Sequence, residues 1–343
     1  MRVALNTSAL TSGHKFRGLG FYTQRLSTAL KKNRQVKLID FSAKAPADVD
    51  LVHYLAFTPF ELGLPLTFPK PVVVTVHDLI PLKFPRQFPA GIKGAIIWQI
   101  NRHLLKKVNH IITDSKASQK DIVNFIGVNP AKTSVVYLAA DAVFKPIRGK
   151  VLPRVKNKFY LPGKFILYVG DVNWNKNLPL LAETCLKLNY PLVIVGKQAV
   201  AKNVPIHPET KDLIAFQRLA AAHPQKIICL GFVPTRDLVA IYNLATGYAQ
   251  VSRAEGFGLP VLEAMACGCP VVTSRETSLA EIAGSAALLI KPQENQLAPA
   301  LQNLWTSQAL RTRLSKLGLN QAKKFTWDKT AAQTVKVYET LVR

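Results

Sequence analysis

Short apolar runs alternate with amphipathic stretches along most of this chain. In residues 1–150, VALN, VKLIDF, LVHYL, PVVVTVHD, HIITDS and TSVVYLA read as buried strands. Helical patterns fall between them near 19–32, 92–107 and 116–126. Strands separated by helices require crossovers and therefore predict a parallel sheet. Near 146–163 the sequence PIRGKVLPRVKNKFYLPGK is rich in Pro, Gly and Lys, which suits a boundary. The pattern then restarts. KFILYVGD, PLVIVG, KIICLGFV, GYAQVS, PVVTS and ALLI read as strands. Helices are predicted near 177–189, 209–222, 235–245, 259–267 and 293–304. Two successive doubly wound α/β domains, 1–150 and 151–326, are the simplest architecture. The last stretch, FTWDKTAAQTVKVYETLV, predicts an amphipathic helix capped by Thr326 and anchored by Trp327.

Within 92–107, Ile96, Ile100, Leu104 and Val108 recur every four residues and predict a core-facing stripe. Lys83, Arg86 and Lys93 precede or open this segment, and Arg102, Lys106 and Lys107 lie elsewhere on it. A basic, partly apolar helix of this kind also suits an anionic membrane surface.

Composition sharpens this picture in two ways. The 343 residues carry 45 Lys and Arg against 20 Asp and Glu, a net charge of +25. The excess is spread, with 22 against 8 in residues 1–150. Such a balance favours contact with phosphates, whether in nucleic acid, anionic lipid or a phosphorylated substrate. No aromatic stacking motif or binding module supports nucleic acid, so no nucleic-acid partner is expected. Cys185, Cys229, Cys267 and Cys269 sit in apolar patterns without metal-clip spacing, and buried reduced thiols are expected. No run of apolar residues is long enough to span a bilayer. The opening MRVALNTSAL reads as a first strand rather than a signal peptide.

The most informative chemistry lies in SRAEGFGLPVLEAMACGCPVVTS, Ser252 to Ser274. Gly256 and Gly258 permit a sharp turn and close approach of a ligand. Pro260 suits the first turn of a helix, and Gly268 is placed to end it. A helix opening behind a glycine loop aims unpaired N–H groups at one spot, which favours a diphosphate. Glu255 and Glu263 frame that spot. Each carboxylate can accept paired hydrogen bonds from vicinal hydroxyls, as on sugar rings either side of a diphosphate.

The Glu255-x7-Glu263 spacing around GFGLP, with AMACGCPVV behind it, resembles the donor site of retaining glycosyltransferases of the family-4 type. The resemblance covers nearly the whole chain and implies the GT-B fold, two Rossmann-like domains facing a central cleft. It implies that Gly256, Phe257, Gly258 and Leu259 line the donor, that Glu263 holds the ribose, and that Glu255 acts at the sugar. In HKFRGLGFYTQRL, Gly18 and Gly20 look like the first-domain glycine loop, with Lys15 and Arg17 beside it. In VHDLIP, His77 would face the donor sugar and Asp78 would shape the acceptor side. In VGDVNWNKN, Gly170 and Lys176 match a diphosphate-binding loop. Asp171 stands where the family commonly has Arg, so Arg253 or Arg17 becomes a candidate replacement cation. Phe232 and Val233 match the segment whose backbone contacts the base. The final helix, 327–343, would return to the first domain.

His77, Glu255 and Lys176 are thus the expected catalytic residues, with no covalent nucleophile and front-face transfer by family analogy. Asp48-Val49-Asp50 forms a D-x-D on paper, but it precedes a strand. Ligands of parallel sheets gather at strand carboxyl ends, so these are expected to be turn residues and no metal is expected. His53 is expected to be structural, and Arg236 and Asp237 to be cap and solvent residues. The co-substrate is a nucleotide diphosphate sugar, with GDP-mannose weakly favoured by the HDLIPL and NKN segments. The acceptor is a glycan or lipid-linked saccharide, and the implied location is cytoplasmic, peripheral on the inner face of the membrane. Another GT-B sugar-nucleotide enzyme, a UDP-sugar transferase or an epimerase, is the alternative, and behind it a basic nucleic-acid-binding protein driven by the +25 charge.

Overall fold

The computed structural model describes residues 1–11 and 18–342. Twelve strands are found among them, in two parallel sheets. The first holds β1 (Arg2–Asn6), β2 (Lys37–Phe41), β3 (Leu51–Tyr54), β4 (Val72–Thr75), β5 (His110–Thr113) and β6 (Thr133–Val135), in the order β2-β1-β3-β4-β5-β6. The second holds β7 (Ile166–Val169), β8 (Leu192–Val195), β9 (Ile227–Cys229), β10 (Gly247–Gln250), β11 (Val271–Ser274) and β12 (Leu288–Ile290). Its order is β12-β11-β10-β7-β8-β9. Each strand matches one strand pattern of the sequence, and the inner strands are apolar because both their faces are buried, whereas the edge strand β2 keeps Lys37 and Asp40 exposed. β3, β4, β8, β10 and β11 are buried at every position.

The chain divides into two compact units, Met1–Ala139 with Phe325–Arg343, and Ala140–Lys324. Residues 140–150, expected with the first domain, go with the second. Phe144 is buried in the second unit's core, and Asn243 bonds both Lys145 O and Ile147 N. The stretch expected as linker contains a helix, Val151–Lys158, anchored by the fully buried Val155.

In the first unit the final helix, Trp327–Leu341, is pinned by a buried polar chain. His53 Nδ1 lies 2.7 Å from Tyr338 Oη, and its Nε2 lies 2.8 Å from Thr75 Oγ1, which also meets Tyr22 Oη at 3.0 Å. Burial lowers the His53 pKa to about 3, so the ring is neutral and structural. Thr326 caps the helix through Lys329 N, and Trp327 sits 6.3 Å from the Tyr22 ring. Asp50 accepts from Arg2 N, and Asp48 pairs with the Arg2 guanidinium, so both serve the amino-terminal edge of the sheet.

The helix Gly91–Lys107 corrects one expectation. Leu104 and Val108 are buried, but Ile96 and Ile100 are 58% and 36% exposed, and Ile92 is 84% exposed. A strict four-residue spacing drifts about 40° per step around a helix of 3.6 residues per turn. The stripe therefore winds from solvent into the core. The buried face instead runs through Gly94, against Phe60, and Asn101, whose amide donates to the carbonyls of Thr58, Pro59 and Glu61.

In the second unit the helix Gln308–Ala322 has little apolar periodicity and escapes sequence reading. It packs through Leu314 and through Gly318, which lies against Met265. Asp237, expected in solvent, is buried and meets Lys158 Nζ at 2.6 Å. Cys185, Cys267 and Cys269 are buried free thiols, and Cys229 is partly buried.

Candidate active site

Parallel sheets bind ligands at strand carboxyl ends, where the strand order reverses direction. In the second sheet that point lies between β7 and β10. The loops that leave these two strands carry Lys176 and Glu255. Lys176 Nζ lies 2.8 and 2.7 Å from the two Glu255 carboxylate oxygens. Gln250 Nε2 donates to Glu255 Oε1 at 2.6 Å, and Ser252 Oγ does so at 2.7 Å. Tyr248 Oη donates in turn to Gln250 Oε1 at 2.7 Å. The carboxylate is only 7% exposed, so its charge is balanced and aimed by neighbours rather than by water. Lys176 retains a further N–H for an anionic oxygen.

The backbone around this cluster is held closely. Asn175 Nδ2 donates to Ala254 O, Asn177 Nδ2 to Val251 O, and Arg253 N to Asn175 O. Ser278 Oγ donates to the carbonyls of Glu255 and Phe257. Thr277 caps its helix through Leu279 N. Gly258 has φ +110° and opens the helix Leu259–Ala266. A Cβ there would lie 2.4 Å from Leu279 Cδ2, so both conformation and space demand glycine. Gly196 is as constrained, because its Cβ would lie 2.1 Å from Gly170 O.

Glu263 lies one turn into that helix and is partly buried. It accepts from Tyr242 Oη at 3.0 Å. Burial raises its pKa to about 7. The Tyr242 hydrogen bond works against this, and Asp141 adds to it. At the ends of β8 and β9, Lys197 Nζ sits 5.0 Å over the Phe232 ring, which is 61% exposed, while Val233 is buried.

Arg253 is not a spare cation. Its guanidinium pairs with Asp212 at 2.8 Å, donates to Trp174 O and stacks 4.8 Å over the Trp174 ring. It braces the loop that leads to Glu255 against Trp174 and Asp212. Arg17 and Lys15 lie outside the described residues. Gly18 opens the helix Gly18–Leu30 and Gly20 is buried in it.

His77 follows β4 in the first unit, with both ring nitrogens engaged. Nε2 donates to Leu55 O at 3.1 Å, and Nδ1 lies 2.5 Å from Asp114 Oδ2. Burial disfavours its charged form, but the Asp114 charge and hydrogen bond outweigh this, and the pKa is raised. Tyr22 packs edge-on at 4.6 Å. Asp78 Oδ1 accepts from Ile80 N.

Asp114, Gln250, Ser252, Ser278 and Tyr242 were not singled out from sequence. Asp114, Gln250 and Ser252 were legible by one signal, a polar residue at the carboxyl end of a buried strand. Among the described residues no group of three or more His, Cys, Asp or Glu side chains is gathered for a metal ion.

Two family models match the chain: Glycosyltransferase Family 4 over residues 11–143, and Glycosyl transferases group 1 over residues 152–321. The chain belongs to this family, and it is a GT-B glycosyltransferase of the family-4 type. It is 29% identical over 279 residues to O-antigen chain mannosyltransferase B of Escherichia coli, covering 78% of this chain and 70% of that one. It is 27% identical to the serotype-specific mannosyltransferase WbdA of Escherichia coli over 82% of this chain, but spans only 36% of WbdA's length. Among solved structures, sucrose-phosphate synthase from Thermosynechococcus elongatus superposes with a TM-score of 0.76 at 18% identity, covering 99% of each chain. Anabaena HepE in complex with UDP-glucose gives 0.76 at 16% identity, over 99% of this chain and 100% of that one. At these identities the structural likeness is one of fold.

Proposed function

We propose that this enzyme transfers a hexose, with retention of configuration, from a nucleotide diphosphate sugar to a glycan or lipid-linked acceptor in cell-surface polysaccharide synthesis. GDP-mannose is the favoured donor. The observation that carries the reading is the Lys176–Glu255 pair at the point of strand reversal in the second sheet, beside the helix opened by Gly258.

As the glycosidic bond breaks, negative charge gathers on the departing diphosphate. Lys176 and the N–H groups at the start of the helix Leu259–Ala266 stabilise that charge. Donors fixed in place before the reaction commonly lower such a barrier more than any other single effect. Glu263 accepts from the ribose hydroxyls, which favours its ionised form. Glu255 accepts from a sugar hydroxyl and, held by Gln250 and Ser252, offers negative charge to the electron-poor ring. Phe232 and Val233 present the base-contacting segment. His77, oriented by Asp114, faces the donor sugar, and Asp78 shapes the acceptor side with the Gly18–Gly20 segment. No metal is part of this scheme.

Identity to mannosyltransferases supports mannose, and the HepE–UDP-glucose likeness keeps a UDP-sugar as the second reading. We place the enzyme in the cytoplasm at the inner face of the membrane. The exposed Ile92, Ile96 and Ile100, with Lys93, Lys106 and Lys107, suit an anionic surface. Among the described residues no helix is long and apolar enough to cross a membrane.

The test is the melting temperature with GDP, UDP and ADP in turn, in the wild type and in Glu263→Ala. A nucleotide at a hundred times its Kd stabilises by about 2.7 kcal/mol. A shift by one nucleotide that the variant loses supports the donor site and names the base. No shift by any of them overturns the reading.

A further inference from the structure

The first sheet also has a point of strand reversal, between β1 and β3. A cavity of about 870 Å³ opens there. At its polar end stand Asn6, the last residue of β1, and Ser8 just beyond it. Asn6 Oδ1 already accepts from Ser8 N and from Ser8 Oγ at 2.6 Å, which leaves the Asn6 amide N–H groups to face a ligand. The body is apolar. Val52, Tyr54, Phe57, Leu64 and Val72 form its walls, each less than a tenth exposed.

The cavity has a structural cause. The connections from β2 to β3 and from β3 to β4, residues 42–50 and 55–71, carry no helix. Loops therefore cover this part of the sheet. They are stiffened by Pro46, Pro59, Pro65, Pro69 and Pro71, and Asn101 holds the carbonyls of Thr58, Pro59 and Glu61 against the neighbouring helix. These loops join the core of the sheet through Phe57, Leu64 and Phe68, and the hollow is left where they do not fill it. Protein interiors otherwise tolerate few voids larger than a water molecule, and a well-formed apolar hollow of this size is what a ligand site requires.

Two observations identify the occupant. Lys44 and Lys70 stand exposed on the rim, and among the described residues Glu61 is the one carboxylate beside them. The apolar lining also continues outward through Leu62, 61% exposed. His77 Nε2 is bonded to Leu55 O, and the flanking Tyr54 and Ala56 both line the cavity, which sets it beside the His77–Asp78 loop of the first unit. We propose that this cavity takes the apolar chain of a long-chain phosphate on which the acceptor saccharide is carried, with Lys44 and Lys70 at the phosphate. The inference rests on the glycosyltransferase reading for its word acceptor, but the binding itself does not.

The experiment measures binding of dodecyl phosphate below its micelle concentration, by calorimetry and melting temperature. Inorganic phosphate and octyl glucoside serve as the single-feature controls. Wild type, Ala45→Trp, which fills the cavity, and Lys70→Glu are compared. Dodecyl phosphate is expected to bind at least tenfold more tightly than either control. Ala45→Trp should lose tenfold or more and Lys70→Glu several-fold. The far-ultraviolet circular dichroism and the cooperative melting of the unliganded variants should match the wild type, which reports that the first unit folds, and the nucleotide shift of the second unit should be unchanged in both. Equal binding by inorganic phosphate, equal binding in Ala45→Trp, or no binding overturns the proposal. A nucleotide shift without dodecyl phosphate binding removes this inference alone. Dodecyl phosphate binding without a nucleotide shift removes the donor reading and leaves a lipid-phosphate site.

Discussion

The two six-stranded sheets solve the same topological problem with opposite chemistry. Each reverses strand order once, and each gathers its candidate ligand groups at that reversal. In the second unit, helices cover the sheet on both faces, and the reversal point is furnished with Lys176, Glu255, Gln250 and Ser252. In the first, two connections lack helices, and the reversal point opens into an apolar hollow. The same strand arrangement therefore suits a charged, hydroxyl-rich ligand in one unit and an amphipathic one in the other. What decides this is the loops, as expected where the sheet serves as scaffold and function sits on its connections.

The sharpest way to break the comparison is to disarm the second unit. Lys176→Ala is expected to lower kcat by 10²–10³-fold or more, the usual loss for a fixed transition-state donor. It also strands the Glu255 carboxylate, so a loss of about 3 kcal/mol in denaturant stability should accompany it. The double variant Lys176→Ala/Glu255→Ala should regain most of that stability and none of the activity. If Lys176→Ala alone keeps its activity, the pair is structural.

Next in size is the backbone. Gly196→Ala forces a Cβ against Gly170 O, and should cost about 3 kcal/mol together with nucleotide affinity. Gly258→Ala, strained at φ +110°, should cost about 1–3 kcal/mol. Neither should change dodecyl phosphate binding in the first unit.

Proton linkage separates the units with a smaller effect. Glu263 is raised to about 7 from 4.5 by burial. Its contribution to stability is thus present below about 4.5 and lost as pH rises through 7. Nucleotide affinity should run the other way, rising about tenfold between pH 6 and 8 as the carboxylate ionises. Glu263→Gln should bind weakly with no such slope. His53 is lowered to about 3 from 6.5. Its contribution is present above 6.5 and lost as pH falls toward 3. His53→Asn should flatten the acid limb of the melting-temperature profile. Tyr338→Phe, which removes the Nδ1 partner, should cost about 1 kcal/mol at neutral pH.

Much of this was legible beforehand. Every strand announced itself as an apolar run, and GFGLP between two glutamates marked the loop and helix start beside which Glu255 meets Lys176. Side-chain partners were not legible. Arg253 reads as a free cation until Asp212 and Trp174 are seen beside it, and His77 reads as available until Asp114 and Leu55 are seen to hold both nitrogens. Asp237 reads as solvated until Lys158 is found over it. The isoleucines of the helix Gly91–Lys107 read as core because a four-residue repeat looks helical over one turn and drifts over four. The helix Gln308–Ala322 was missed because it packs through a glycine, which leaves no apolar stripe.

The sequence by itself determined the strand order's raw material, the two-unit α/β plan and the glycine-led turns, because burial and backbone conformation act locally and leave a periodic trace. Only the tertiary structure decided which charges are spent on each other and where a void survives. Those outcomes depend on residues distant in the chain meeting at a strand end, and no local pattern records such a meeting.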